Sequence, residues 1–207
     1  MRLFASFASA LVLAACYAEA PPPTKAPAEP PAATTPPPLD TNAITSEGWG
    51  PLRIGMTRDD VVTAMGPDAN PNAVGGPDQE ACDLFHPSRA PEGLYVMIQR
   101  GVLTRISLQE NTTLKTDRGF GIGDSAAAIK AAYGSSARVE PHHYLGLPAE
   151  YITVWTSTGG ASPNERGWIP EDSAPNARGI RYETDVEGRV TSIHAGGPSI
   201  QYVEGCS

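Results

Sequence analysis

Apolar residues recur at two spacings along this chain, and the spacings divide it into parts. Between Ile54 and Gly66 they fall four apart, at Val61 and Met65, behind an Ile-Gly turn and the hydroxyl residue Thr57. The same arrangement returns without a gap 68 positions later, from Ile122 to Gly134, with Ser125 for Thr57 and with Ile129 and Tyr133 for Val61 and Met65. An i, i+4 spacing puts one apolar stripe on a helix face. Thr57 and Ser125 are placed to cap a first turn, Asp59 and Asp60 suit the positive end of the helix dipole, and Gly66 and Gly134 fit a left-handed stop. The pattern predicts two helices, each too short to hold its shape without packing.

Alternation takes over after each helix. Leu94 to Ile98 and Gly101 to Ile106 read as a hairpin through Gln99-Arg100-Gly101; Ile180 to Thr184 and Gly188 to Ile193 read as its counterpart through Asp185 to Gly188. Here the offset is 87. Cys82 to Phe85 and Glu150 to Val154 add one strand to each part. The growth of the offset from 68 to 87 locates a 19-residue insertion between Trp155 and Gly179, within residues 156–178. The fold expected is α+β: two tandem helix-plus-antiparallel-sheet repeats sharing a layer, residues 46–112 and residues 113–207.

Composition changes the picture at the other end. Nine of the 25 residues from Cys16 to Asp40 are proline, and the rest are mostly Ala and Thr. Such a segment lacks the apolar surface to offset the entropy of ordering, so residues 16–45 are expected to form a disordered, extended tether. Lys plus Arg number 15 against 23 acidic residues, a net charge of -8. A nucleic-acid partner is therefore not expected, because phosphates call for a basic footprint.

The first residues read as an address. Met1-Arg2 precedes an apolar run from Leu3 to Val12 that is too short to span a bilayer but suits the core of a secretory signal. Leu13-Ala14-Ala15-Cys16 resembles the lipobox of bacterial lipoprotein precursors. The resemblance implies that residues 1–15 are a signal peptide, that Cys16 carries the lipid, and that the chain is anchored in the outer membrane with its body facing the periplasm. Cys82 and Cys206 then remain as an even pair in an oxidising compartment, expected as a disulfide, with two buried thiols as the alternative.

Leu52, Gly55-Met56-Thr57, Val61 and Gly66-Pro67 resemble the opening of the SmpA/OmlA (BamE-type) outer-membrane lipoproteins, which assist β-barrel assembly. The duplication is similar to that of the β-lactamase inhibitor proteins, whose tandem helix-plus-sheet repeats form one concave sheet. These resemblances imply a fold and a binding role rather than an active site.

The candidate chemistry is sparse. Gly119-Phe120-Gly121-Ile122-Gly123 precedes a helix, but Asp124 and the lack of a following Lys-Ser/Thr fit neither nucleotide motif, and no cofactor is expected. His142 and His143 are weak metal candidates, since neighbours on a strand point to opposite faces. No catalytic set is recognisable. Tyr144, Tyr151, Trp155 and Trp168 gather around the insertion, and aromatic residues with a polar handle suit binding surfaces. Tyr151 and Trp155, four apart on one strand face, equally suit a core. The expectation is a non-enzymatic module that binds an envelope protein through its concave sheet or its insertion, with hydrolase inhibition as one form. Glycan or cell-wall binding through Trp168, Trp155 and Tyr151 is the alternative, and a hydrolase the third reading.

Overall fold

The computed structural model describes residues 42–73 and 78–206. The expected signal peptide, the lipidated Cys16 and all but the end of the 16–45 tether lie outside the described residues. A small ribbon, β1 (Gly48–Trp49) and β2 (Leu52–Arg53), comes first, followed by α1 (Arg58–Met65), β3 (Cys82–Phe85), β4 (Leu94–Gln99) and β5 (Val102–Leu108). Then come α2 (Ala126–Tyr133), β6 (Ala137–Pro141), β7 (Glu150–Ser157), β8 (Arg178–Thr184) and β9 (Val190–Gly196). Strands β3 to β9 form one antiparallel sheet in the order β3-β4-β5-β9-β8-β7-β6. The described chain is mostly antiparallel sheet with two short helices, broadly α+β.

Both helices start where the hydroxyl residues stand. Thr57 accepts a hydrogen bond from the Asp60 amide while the Asp60 carboxylate accepts from the Thr57 amide, a reciprocal capping box. Ser125 accepts from the Ala127 amide. Their C-terminal glycines have positive φ, 86° at Gly66 and 54° at Gly134, but ψ of 168° and -129° turns the chain away instead of closing the expected left-handed cap. Val61, Met65, Ala126 and Ile129 face one side of the sheet and share a single core with Leu103, Ile106, Ile152, Tyr182 and Ile193. Each helix is also stitched to a strand end by three backbone bonds. Gly55 N, Leu103 N and Arg58 N donate to Leu103 O, Met56 O and Gly101 O; Gly123 N, Val190 N and Ala126 N donate to Val190 O, Asp124 O and Gly188 O.

The opposite sheet face is polar, and it too is covered. Beyond β9 a 3-10 turn, Pro198–Gln201, packs over β5, β8 and β9. The tail then runs to Cys206, whose sulfur is 2.10 Å from that of Cys82 on β3, closing a separation of 124 residues. The insertion covers the far end of β7 and has a small core of its own, Ile169, Ala174 and Ala177, against which Trp155 and Ala161 pack. Met97 on this face is fully buried as well.

Three elements differ from the sequence pattern. Strand β6 was not expected, because Arg138-Val139-Glu140 offers one apolar residue and runs into Pro141. The β1–β2 ribbon is too short for alternation to register. The packed body also begins before residue 46: Ile44 is fully buried, and its amide donates to Lys115 O.

Candidate functional site

The polar face is built from alternate residues of strands whose other residues form the core. Register sets Arg105 opposite Gly196, Ser107 opposite His194, His194 opposite Arg181, and Glu183 opposite Tyr151. Arg105 and Arg181 are each 3% exposed. Both hold the tail by its carbonyls: Arg105 Nη1 donates to Ser199 O and Tyr202 O at 3.2 and 3.1 Å, and Arg181 Nη1 donates to Gln201 O at 2.8 Å. The Gln201 side chain in turn brackets Ile169, accepting from its amide and donating to its carbonyl, so tail and insertion are locked together.

A hydrogen-bonded chain crosses this face. Ser107 Oγ lies 2.9 Å from His194 Nδ1, His194 Nε2 lies 3.5 Å from one Glu183 oxygen, and His142 Nε2 lies 2.7 Å from the other. The Tyr144 and Leu145 amides both donate to His142 Nδ1, so the imidazole proton sits on Nε2 and is donated to Glu183. Burial works against charge on Glu183, but the bonds and charges of His194 and His142 outweigh it and hold the carboxyl at about 2. Burial, reinforced by Arg105, drives His194 down to about 4 against the pull of Glu183. The cluster at neutral pH therefore holds two guanidinium ions, one carboxylate and a neutral His194. Burial and the proximity of Arg181 bring Arg105 down to about 10.

Beside this cluster, between β6, the insertion and the tail, lies an open cleft of about 920 Å³. Its sheet side carries Glu140, His142, Tyr151 and Arg181; its insertion side carries Glu165, Arg166 and Trp168; Gln201 and Val203 come from the tail. The Arg181 guanidinium stands 3.8 Å over the Tyr151 ring, and His142 stacks on that ring at 4.7 Å with 24° between planes. Trp168 is half-buried, 6.5 Å from the Tyr202 ring. Tyr202 donates to Glu171 across the tail–insertion seam, and burial, reinforced by this bond, pushes its hydroxyl up to about 12.

Of the residues singled out from sequence, Trp168, Tyr151, His142 and His143 line the cleft. Tyr144 lies just outside, 60% exposed, against the two histidine rings. Trp155 does not reach the cleft: its Nε1 donates to Gly167 O at 2.8 Å, and its ring packs beneath the insertion. Arg105, Arg181, Glu183 and His194 were not singled out. Their signal was present, as charged residues alternating with Ile, Tyr and Ala in the most apolar strands, where a solvated face is the usual reading.

The chemistry open to this arrangement is mainly recognition. Ser107, His194 and Glu183 are residue types of a nucleophilic triad, yet Ser107 is 1% exposed and does not line the cleft. A His194 at about 4 is also a poor base at neutral pH. Among the described residues no group of three His, Cys, Asp or Glu side chains is placed to hold a metal ion. None of their helices is long and apolar enough to cross a membrane. No family model, curated protein or solved structure matches the chain.

Proposed function

We propose that the chain is a lipid-anchored, periplasm-facing lipoprotein module that binds a segment of an envelope protein in the cleft between insertion and tail. The make-up of the cleft carries this reading: Trp168 supplies an apolar wall from the insertion, while the exposed Arg166 supplies a cationic one from the same loop. A polypeptide presents apolar side chains and carbonyl or carboxylate acceptors a few ångströms apart, which suits both walls. Stacking on a sugar requires a free aromatic face. Tyr151 lines the cleft but already carries Arg181 and His142, and Trp155 is packed beneath the insertion, so of the three expected stacking residues only Trp168 is at the cleft without such partners on its ring. That favours a protein segment over a glycan.

The scaffold is read as two tandem repeats, residues 46–112 and residues 113–207. The helix–strand stitches support it, because the three bonds of the first set reappear in the second with each partner displaced by 68 or 87 residues. The central pairing supports it too: Ile106 faces Ala195 and Leu108 faces Ile193, a reciprocal match if Ile106 corresponds to Ile193. Cys16 would carry the lipid, and residues 16–45 would hold the body away from the membrane. The reading is non-enzymatic, of the scaffold or inhibitor kind.

The test places a photo-crosslinking amino acid at Trp168 in the full-length chain in intact cells, with Glu92 in the β3–β4 connection as control. Protein adducts at position 168 and none at position 92 are expected. Retention on purified cell-wall glycan, abolished by Trp168→Ala and with no protein adduct, would overturn the reading.

A further inference from the structure

Strand β6 ends the sheet among the described residues, and its outer edge is unpaired there. His142 N donates to Ala149 O, one position beyond the β6–β7 register. In an antiparallel ladder bonded positions alternate, so Glu140 and Arg138 also turn their backbone toward β7, while Ala137, Val139 and Pro141 turn theirs outward. An unpaired edge is a template for another strand. Two of its donors are already gone, since Pro141 has no N–H and the Ala137 amide donates to Gly134 O. Val139 alone keeps both an N–H and a C=O for the outer edge. A long foreign strand would find too few donors here. A two-fold contact centred on Val139 needs only that residue, which would exchange two bonds with its counterpart.

We infer that this edge pairs with the same edge of a second copy of the chain, antiparallel and centred on Val139. The side chains fit that register. With Val139 opposite itself, Arg138 stands opposite Glu140 of the second copy, and Glu140 opposite Arg138 of the second copy, so each flanking position joins opposite charges. Val139 is 45% exposed and would meet its counterpart on the helix side of the sheet. Arg138 is already positioned: its Nη1 donates to Ser135 O, and its stem lies so close under Gly167 that a Cβ there would stand 2.6 Å from Arg138 Cβ. The dimer would set one cleft on each side of the axis, each bordered by Glu140. The pairing stands independently of what the cleft binds.

Cysteine crosslinking in the full-length chain, in its own cells, tests the register. Residues in a bonded antiparallel pair lie about 5.5 Å apart at Cα, inside the roughly 4.4–6.8 Å range of a disulfide. Val139→Cys is expected to give a disulfide-linked dimer on a non-reducing gel. Arg138→Cys alone and Glu140→Cys alone are expected to stay monomeric, and the two co-expressed to link. By sedimentation of the purified chain, Arg138→Glu or Glu140→Arg should weaken self-association roughly ten-fold or more, since each sets like charges opposite at both positions, and mixing the two should restore it. The proposal is overturned if Val139→Cys stays monomeric while Cys82 and Cys206 remain oxidised. Equal crosslinking at all three positions, which would mark random collision, overturns it as well, as does a Val139→Cys adduct to a different protein.

Discussion

Arg181 and Tyr151 form a sandwich with His142: the guanidinium carbon is 3.8 Å from the Tyr151 ring centre, and the imidazole is stacked 4.7 Å away. Contacts this close cannot share one face of the ring, so the tyrosine is held from both sides. Arg181→Ala removes the cation, its bond to Gln201 O and the tail's hold on β8. A loss of about 2–4 kcal/mol is expected by urea denaturation, from a charged hydrogen bond plus a desolvated cation–π contact. Tyr151→Phe keeps both stacked faces and gives up only a weak 3.4 Å bond from the His143 amide, so a change under about 1 kcal/mol is expected. Equal losses in the two variants would show that the ring contacts contribute little.

Acid should weaken the fold from near-neutral pH downward. His194 is neutral in the folded state until about pH 4, whereas an unfolded histidine takes up a proton near pH 6.5. The unfolded chain then binds more protons, and stability falls as pH drops from 6.5 toward 4, by up to about 3 kcal/mol. Glu183 adds to this lower down, because its folded value of about 2 lies below the ordinary 4.5, and its contribution is lost as pH falls from 4.5 toward 2. Thermal melts between pH 7 and pH 3 should show a steady decline in Tm. His194→Gln should flatten the part above pH 4.5 and also shrink the lower part, because His194 is the main group holding Glu183 down; an unchanged profile would remove His194 from the account.

Cys206→Ser should release the tail without unmaking the sheet. Closing a loop of 124 residues constrains the unfolded chain by at most about 5 kcal/mol in the loop-entropy picture. A Tm lowered to the same value by Cys206→Ser and by reductant on the unaltered chain is expected. Hydrogen exchange should quicken first at Ser199 to Tyr202, the residues held by Arg105 and Arg181, and later in β8 and β9. Uniform quickening would mean that tail and sheet open as one unit.

Gly179 and Gly167 fix the seat of the insertion. A Cβ on Gly179 would stand 2.8 Å from both Trp155 Cε3 and Val154 O, and one on Gly167, at φ 81°, would run into Arg138. Gly179→Ala should cost about 1–3 kcal/mol through overpacking against a strand that cannot move aside. Gly167→Ala should act locally, raising proteolytic cleavage within residues 158–177 and weakening the Trp155 bond while leaving the global denaturation midpoint close to that of the unaltered chain.

How far these features could be read from residues alone depended on how local their causes are. Thr57 with Asp60, and Ser125, announce the two helices because a cap is made within a single turn. The strands of the β4–β5 and β8–β9 hairpins follow from alternation, and Cys82 with Cys206 from their being an even pair. Arg105, Arg181, Glu183 and His194 did not stand out, because alternation assigned them to a face normally left to solvent. What buries them is the tail from Pro198 to Cys206, which has no period of its own and is positioned by carbonyl groups that any residue would supply. Trp155 and Trp168 look alike as aromatic residues near an insertion; only the path of the loop sends one beneath it and the other to the cleft. Strand β6 escaped because its pairing rests on backbone register rather than on an apolar pattern.

The cover over the buried arginines follows every strand of the sheet in sequence, and a ribosome makes a chain in order. Cys82 is in place long before Cys206 exists, and β5 and β8 are complete before the carbonyls of Ser199, Gln201 and Tyr202 that Arg105 and Arg181 hold. Through that interval both cations face water, and Cys82 remains a thiol. A chain cut before Ser199 therefore carries its own mark: an unpaired thiol at Cys82 beside an uncovered pair of positive charges.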